Sequence, residues 1–318
     1  MRTRKPWILP THPTSRAMLV ARGITDEMIE TQLTAGRLRR VRQGVYLSET
    51  CWPADEAGQH LIRARAEQVM APGSVLSHQT AALVWGLPTP GVRAWHDHSP
   101  SIALQAGAGH RSRRGPVVRH ITPLHPADIV RDDDGYDVTS VARTAVDLAD
   151  GLTLPDALVI LDGAGRLLIE SLTNRKRRPD YANPRLVSTV RELLAQAAPA
   201  RTLRRLRSTI DKVEPCRESA AESLTAGHLY LSGLPIPAFQ TPIPSPWGTL
   251  FPDMYWPHAR LIGECDGAMK YSDQSSIVKE KEREQWFRDG DYGVVRWLGK
   301  EIMFHAPRVM ARIEAALR

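Results

Sequence analysis

Apolar residues recur at helical spacing in some stretches and at strand spacing in others, which predicts an α+β protein. Helices are predicted at SRAMLVAR, around Met28 to Leu33, and at AGQHLIRARAEQVM, HQTAALVWGL, VTSVARTAVDLADGL, LPDALVILDGAGRLL, RESAAESLTAGHLYLSGL and SIVKEKEREQWFRDGDY. Strands are predicted at RLRRVRQGVYL, SIALQA, VVRHIT, Leu250 to Trp256, Arg260 to Cys265 and VVRWL. We expect three domains: residues 1–50, a mixed α/β middle region over 51–208, and a C-terminal αβ domain over 209–318.

The first 50 residues have the pattern of a winged helix-turn-helix. Ser15 is placed to cap one short helix, and Thr25 or Asp26 to cap the next. Gly36 lies where a left-handed residue ends a helix. The hairpin RLRRVRQGVYL follows, with its turn at Gln43-Gly44, and would form the wing.

Positive charge is concentrated in that same region. The chain has a formal net charge of +7, and residues 1–50 hold nine basic residues against four acidic ones. Such a bias is typical of polyanion-binding modules. We expect Arg37, Arg39, Arg40 and Arg42 to contact DNA phosphates or the minor groove, while the second helix enters the major groove. A solvated arginine-rich hairpin is the alternative.

A predicted hairpin at Leu250 to Cys265 brings acidic side chains together. If its turn is centred between His258 and Ala259, facing residues have numbers that sum to 517. Asp253 then lies opposite Glu264, and Asp266 shares a face with Glu264 because side chains alternate along a strand. Like charges that face each other destabilise a hairpin, so a divalent cation is the simplest explanation. Mg²⁺ or Mn²⁺ would suit, since Mg²⁺ favours one or two carboxylates with waters and phosphates.

Other features restrict the class of protein. Cys51, Cys216 and Cys265 are scattered, which predicts reduced thiols rather than disulfides or a zinc site. No apolar run approaches the ~20 residues that span a bilayer, and the apolar part of the N-terminus is too short for a signal peptide. A cytoplasmic protein with no membrane partner is therefore expected.

Two polar segments leave their roles open. His96 and His98 in WHDHS lack the spacing of helical metal ligands, so unpaired surface or core histidines are expected. The basic segment TNRKRRPD, residues 173–180, either touches a phosphate backbone or is only solvated.

The C-terminal carboxylates resemble a known nuclease motif. Asp253, then Glu264 and a nearby basic residue, is similar to the D…(D/E)xK core of PD-(D/E)XK nucleases. GECDGAMKY with KEKEREQWFRDGDYGVVRW resembles a Vsr-like endonuclease domain over roughly residues 216 to 300. The resemblance implies a restriction-endonuclease-like αβ fold for residues 209–318. It also implies catalytic roles for Asp253 and Glu264, with Glu222 on the first helix. It departs at Asp266, where lysine is expected, so Lys270 would have to substitute from a shifted position.

The N-terminal pattern resembles a different family. Gly23-Ile24-Thr25, GRLRRVRQGVYL and SHQTAALVWGLP are similar to AbiEi-type antitoxins, the repressor half of type IV toxin–antitoxin systems. Two functions follow from the resemblances. One is a DNA-binding protein with a Mg²⁺-dependent endonuclease domain. The other is an antitoxin-like repressor whose nuclease-like domain is inactive and binds a protein such as a cognate toxin.

Overall fold

The computed structural model describes residues 7–104, 116–266 and 285–318, and it has a mixed α+β architecture. The chain forms two compact units. The first comprises Met1–Leu87 with Arg93–Thr144, and the second comprises Pro88–Val92 with Ala145–Arg318. The division into three domains stays a prediction.

The first unit begins with two short helices and a three-stranded antiparallel sheet. The elements are β1 (Thr14–Ser15), α1 (Arg16–Ala21), α2 (Asp26–Thr34), β2 (Leu38–Arg42) and β3 (Val45–Ser48), with strand order β1-β3-β2. The predicted caps are confirmed, because the Ser15 hydroxyl accepts from the Met18 amide at 3.2 Å and Thr25 from the Met28 amide at 3.3 Å. Gly36 has a left-handed φ of +65°, as the helix end requires.

The remainder of the first unit is a five-stranded mixed sheet with two helices. Its elements are α3 (Glu56–Met70), β4 (Val75–Leu76), α4 (His78–Trp85), β5 (Ser101–Leu104), β6 (Val118–Ile121), β7 (Ile129–Arg131) and β8 (Asp137–Thr139), in sheet order β6-β5-β4-β8-β7. The helix predicted over HQTAALVWGL ends at Trp85 and not at Leu87, because Gly86 adopts a left-handed φ of +64°. The Ser77 hydroxyl makes no cap hydrogen bond to α4.

The second unit surrounds a four-stranded sheet with helices. Its elements are α5 (Val141–Ala149), which begins in the first unit, α6 (Leu154–Thr173), α7 (Arg178–Tyr181), α8 (Pro184–Ala197), α9 (Ala200–Ile210), α10 (Ala220–Ser232), β9 (Ala238–Phe239), β10 (Ile243–Ser245), β11 (Gly248–Leu250), β12 (Met254–Trp256), β13 (Leu261–Asp266), β14 (Gly293–Leu298) and α11 (Gly299–Leu317). The sheet order is β14-β13-β12-β9. Strands β9, β12 and β13 pair antiparallel, and β14 joins β13 in parallel.

The predicted hairpin register is confirmed. Met254 pairs with Gly263, Tyr255 with Ile262 and Trp256 with Leu261, so the numbers of facing residues sum to 517. The first strand is shorter than predicted, because residues 251–253 lie outside the ladder and Pro252 has no amide proton to donate. Residues 243–250, for which the sequence pattern predicts no strand before Leu250, form the separate β10–β11 hairpin.

Helix α10 packs closely on α6 beneath the sheet. A Cβ atom on Gly227 would come within 2.3 Å of the Pro155 Cα, so only glycine permits this approach. The face of the sheet toward these helices is apolar, with Trp256 and Trp297 almost fully buried. In the described part of the chain, no helix has the length and apolarity that crossing a lipid bilayer requires.

A buried ion pair joins the helices to the start of the site. The Arg217 guanidinium lies 2.7 Å from the Asp162 carboxylate, and both side chains are at most 1% exposed. Asp162 also accepts hydrogen bonds from the Ser223 hydroxyl at 2.7 Å and from the Glu214 amide at 2.8 Å. Arg217 stacks over the Phe239 ring at 4.5 Å. One carboxylate therefore links α6, the chain before α10, and α10 itself.

Replacing Arg217 by methionine should leave the buried Asp162 carboxylate without its cationic partner. We expect a loss of roughly 3–5 kcal/mol in the free energy of unfolding at neutral pH. Burial already raises the pKa of Asp162 above its value in the unfolded chain. The folded protein therefore holds this proton to higher pH than the unfolded chain does, and its stability falls as pH rises. The loss should therefore be smaller near pH 5 than near pH 8 in urea titrations.

Arg207→Met is the matched control. Its guanidinium lies 3.6 Å from Asp211 and both side chains are exposed. This variant should change the stability by no more than about 0.5 kcal/mol. Equal losses for the two variants would show that the buried pair contributes nothing beyond a surface pair.

Candidate active site

Glu222 is buried at the start of α10. The Ser219 hydroxyl accepts from the Glu222 amide at 3.1 Å and donates to Glu222 Oε1 at 2.8 Å. These reciprocal hydrogen bonds, a variant of the capping box, fix the carboxylate in the first turn. The Glu218 amide donates to Glu222 Oε2 at 3.0 Å, and Glu218 lies before the helix. The predicted start of this helix at Arg217 is therefore too early.

Asp253 lies immediately before β12. Continuing the observed register by one residue places it opposite Glu264, as predicted. Its Oδ2 atom accepts a hydrogen bond from the Cys265 amide at 2.8 Å. The Cys265 amide in β13 therefore holds the Asp253 carboxylate in place and supplies one of its hydrogen-bond donors.

Gln240 connects these two carboxylates, and no sequence motif singles it out. Its Nε2 atom donates to Glu222 Oε2 at 3.1 Å and to Asp253 Oδ1 at 3.3 Å. Its Oε1 atom accepts from Arg178 Nη1 at 2.6 Å. Gln240 is buried and has a left-handed φ of 50°, a costly conformation for a non-glycine residue. That strain indicates a functional position, but it is visible only in the fold.

Crowded negative charge changes the protonation of the site. Burial, and then the Asp253 carboxylate, raise the pKa of Glu222 to about 7. Burial also raises the pKa of the Cys265 thiol, with further contributions from Asp253, Glu222 and Asp266. Asp253 thus acts on both groups, in agreement with its hydrogen bonds to the Gln240 amide and to the Cys265 amide.

Glu264 and Asp266 occupy the same face of β13. Glu264 is 8% exposed and faces Arg296 across the parallel ladder. The Arg296 guanidinium lies 3.6 Å from Asp266 Oδ1. Asp266 stands where the nuclease motif has lysine, so the neighbouring strand supplies a cation at this position. Lys270 lies outside the described residues.

The expected clustering of three carboxylates is only partly present. Among the described residues, one set of three acidic, histidine or cysteine groups has ligand atoms all within 4.8 Å of one another, and it comprises Glu56, His96 and Asp97. At the hairpin, the structure instead pairs Glu222 with Asp253 through a shared amide donor. Asp266 is directed to Arg296.

The first unit departs from the histidine prediction. His96 is not unpaired, because its Nε2 lies 3.5 Å from Glu56 and 3.8 Å from Asp97. The Glu56 side chain is 78% exposed, so this set lies at the surface. His78 and His120 are both half-buried and stack with ring centroids 3.4 Å apart, and burial of the imidazole lowers the pKa of His78 to about 4.

Three of the four wing arginines lie beside carboxylates. Arg39 is 2.5 Å from Glu49, Arg42 is 2.5 Å from Glu67, and Arg40 is 3.9 Å from Glu30. Within the part of the chain that the structure describes, Arg37 forms no such pair and is exposed. The wing therefore has less available positive charge than its composition suggests.

Helix α2 has an acidic outer face. Asp26, Glu27 and Glu30 are all exposed on it. Carboxylates in this position repel phosphates, so insertion of α2 into a major groove is electrostatically unfavourable. The arginine-bearing wing is therefore a better surface for DNA phosphates than α2 is.

Comparison with protein-family models and with curated proteins finds no match for this chain. The geometry of the site and the resemblances in the sequence are therefore the only grounds here for assigning a function.

The raised pKa of Glu222 predicts how stability depends on pH. The unfolded chain releases this proton at lower pH than the folded one, so metal-free protein should lose stability as pH rises from about 5 to about 8. Glu222→Gln should flatten that slope, as measured by urea titration in EDTA. The exposed Glu192→Gln should keep the wild-type slope. An unchanged slope in Glu222→Gln would show that Glu222 is ionised throughout this range.

Proposed function

We propose that this chain is a DNA-binding protein whose second unit carries a metal-dependent site for hydrolysing phosphodiesters. The observation that carries the proposal is a pair of carboxylates, buried Glu222 and half-buried Asp253, which Gln240 joins. The pair sits at one end of an antiparallel meander that a parallel strand extends. A helix before the meander, helical residues 285–289 before β14, and Glu264 in β13 all agree with the resemblance to PD-(D/E)XK nucleases.

The residues present fit Mg²⁺ or Mn²⁺. Glu222 and Asp253 offer hard oxygen ligands, and Mg²⁺ is commonly held by one or two carboxylates with waters and substrate phosphates. Glu264 adds a third carboxylate on the adjoining strand. A bound divalent ion would lower the pKa of a coordinated water and neutralise charge on the phosphoryl oxygens. A raised pKa for Glu222 is also what an unneutralised cation site produces.

The chain's own cations would complete the site. Arg296 reaches Asp266 from the strand beside Glu264, on the face where the motif places lysine. A guanidinium stays protonated at all relevant pH values, so it can stabilise phosphate charge but cannot serve as a base. Its role here would be to hold the strand and balance the carboxylates.

Two observations favour a second function, an antitoxin-like repressor with an inactive nuclease-like domain. Asp266 replaces the motif's lysine, and Gln240 already satisfies both carboxylates without a metal. The helix–turn–helix with a wing would then bind operator DNA, and the second unit would bind a protein such as a cognate toxin.

Cleavage separates the two functions. Wild-type protein should nick or cut DNA with Mg²⁺ or Mn²⁺ but not in EDTA, and Asp253→Asn or Glu264→Gln should abolish the cleavage. Loss of an essential metal ligand typically removes several orders of magnitude in rate. Asp211→Asn, an exposed carboxylate of the same unit, should cleave normally. Absence of cleavage and of metal-dependent thermal stabilisation in wild type would leave the repressor as the better account.

DNA binding by the wing can be tested by replacing its arginines and, separately, the carboxylates beside them. Arg39→Ala with Arg40→Ala should weaken duplex binding and reduce the log–log salt slope by about 0.9 for each phosphate that is no longer neutralised. Glu30→Gln with Glu49→Gln should strengthen binding, because these carboxylates compete with phosphate for the same guanidinium groups. Fluorescence titrations over a salt series measure both. Equal affinity in all three proteins would exclude the wing as a DNA-binding surface.

A further inference from the structure

A cleft of about 390 Å³ opens beside the carboxylate pair in the second unit. Gln240 belongs to both, since it lines the cleft and bridges Glu222 and Asp253. Most of the lining is apolar or aromatic, with Tyr181 and Phe251 as the large rings. Its charged wall is formed by Arg178 and Glu218.

Arg178 comes from the basic segment 173–180, for which the sequence allows either a phosphate contact or simple solvation. Two other basic residues of that segment lie against nearby carboxylates, Arg175 on Asp180 at 2.8 Å and Lys176 on Glu170 at 3.0 Å. Arg178 differs from them in that it also donates to Gln240 Oε1 and stacks over the Phe251 ring at 4.6 Å. The fold therefore brings one cation of this segment to the edge of the proposed active site.

A carboxylate occupies the outer side of Arg178. Glu218 Oε1 lies 3.0 Å from the guanidinium, and the side chains are 40% and 36% exposed, so solvent reaches both. A planar guanidinium binds phosphate with the same paired geometry that it uses for carboxylate. Glu218 thus stands where a phosphate group would bind.

We propose that this cleft binds one nucleotide of the DNA strand, with its phosphate on Arg178 in place of Glu218 and its base against Phe251. The inference rests on the proposed function, because it puts a nucleotide next to the bond that the carboxylates would hydrolyse. Stacking on an aromatic or guanidinium surface is tolerant of base identity, so the cleft holds a strand in position without reading its sequence. It requires an unpaired base, because a stacked duplex cannot present one base to a cleft.

The structure also links the cleft to the catalytic carboxylates. The side-chain amide of Gln240 contacts Arg178 through its oxygen, and it contacts Glu222 and Asp253 through its nitrogen. Arg178 uses Nη1 for Gln240 and Nη2 for Glu218. A phosphate that takes the place of Glu218 on Nη2 therefore lies one side chain, Gln240, away from the carboxylate pair.

The test is a metal-free binding measurement with 2-aminopurine deoxyriboside 5′-monophosphate, followed by its fluorescence. The corresponding nucleoside and inorganic phosphate serve as separate arms. Wild-type protein should quench the nucleotide, and the nucleoside and phosphate should each bind more weakly. Arg178→Gln and Phe251→Ala should each lower the affinity on the order of tenfold, while Glu218→Gln should raise it.

Lys212→Gln is the matched control, since this lysine stacks over the Tyr230 ring at 5.3 Å and does not line the cleft. It should bind the nucleotide like wild type. Arg178→Lys and Phe251→Leu provide conservative versions in case either first variant unfolds, as judged by circular dichroism. Binding that is absent, or that is unaffected by any change at Arg178 and Phe251, overturns the proposal.

The outcome is separable from that of the nuclease test. Cleavage that requires Asp253 while nucleotide binding ignores Arg178 would retain the hydrolytic function and refute the cleft. Nucleotide binding that requires Arg178 in a protein that cleaves no DNA would retain the cleft and refute hydrolysis.

Discussion

The buried pair of Asp162 and Arg217 is the constraint on which the second unit depends. A single interior carboxylate must find a full set of donors, because an unpaired buried charge is strongly destabilising. Its donors come from Arg217, Ser223 and the Glu214 amide. Two of these adjoin the proposed site, since Ser223 follows Glu222 and Arg217 precedes Glu218. Satisfying one charge in the core therefore restricts where the site residues can lie.

The site itself concentrates negative charge and relieves it with neutral donors. Glu222 and Asp253 share the amide of Gln240, and each also accepts a backbone amide hydrogen bond. Neutral donors reduce the repulsion without removing it, which is why the pKa of Glu222 remains high. On the proposed function, a divalent cation would neutralise the repulsion that these donors leave.

Positive charge around the proposed nucleic-acid surfaces is mostly held by acidic neighbours. Arg39, Arg40, Arg42, Arg178 and Arg296 all lie within 4 Å of carboxylates. The pairs of Arg39, Arg40 and Arg178 are exposed, and exposed ion pairs contribute little to stability and are weakened by salt. Such pairs can open to a phosphate at low cost. On the proposed function, the affinity for nucleic acid would then depend on both members of each exposed pair.

The sequence alone determines the features of this protein that depend on interactions between near neighbours in the chain. Caps at Ser15 and Thr25, the left-handed Gly36 and the hairpin register at Met254 and Gly263 follow from interactions between near neighbours in the chain. The strand cut short at Pro252 and the β10–β11 hairpin were missed, because competing turn and strand signals overlap there. Only the tertiary structure decided the partners of the charged residues. Gln240, Arg178 and Glu222 are far apart in sequence, and no spacing rule connects them. Their meeting depends on how α7, α10 and β9 pack, which is a property of the whole core.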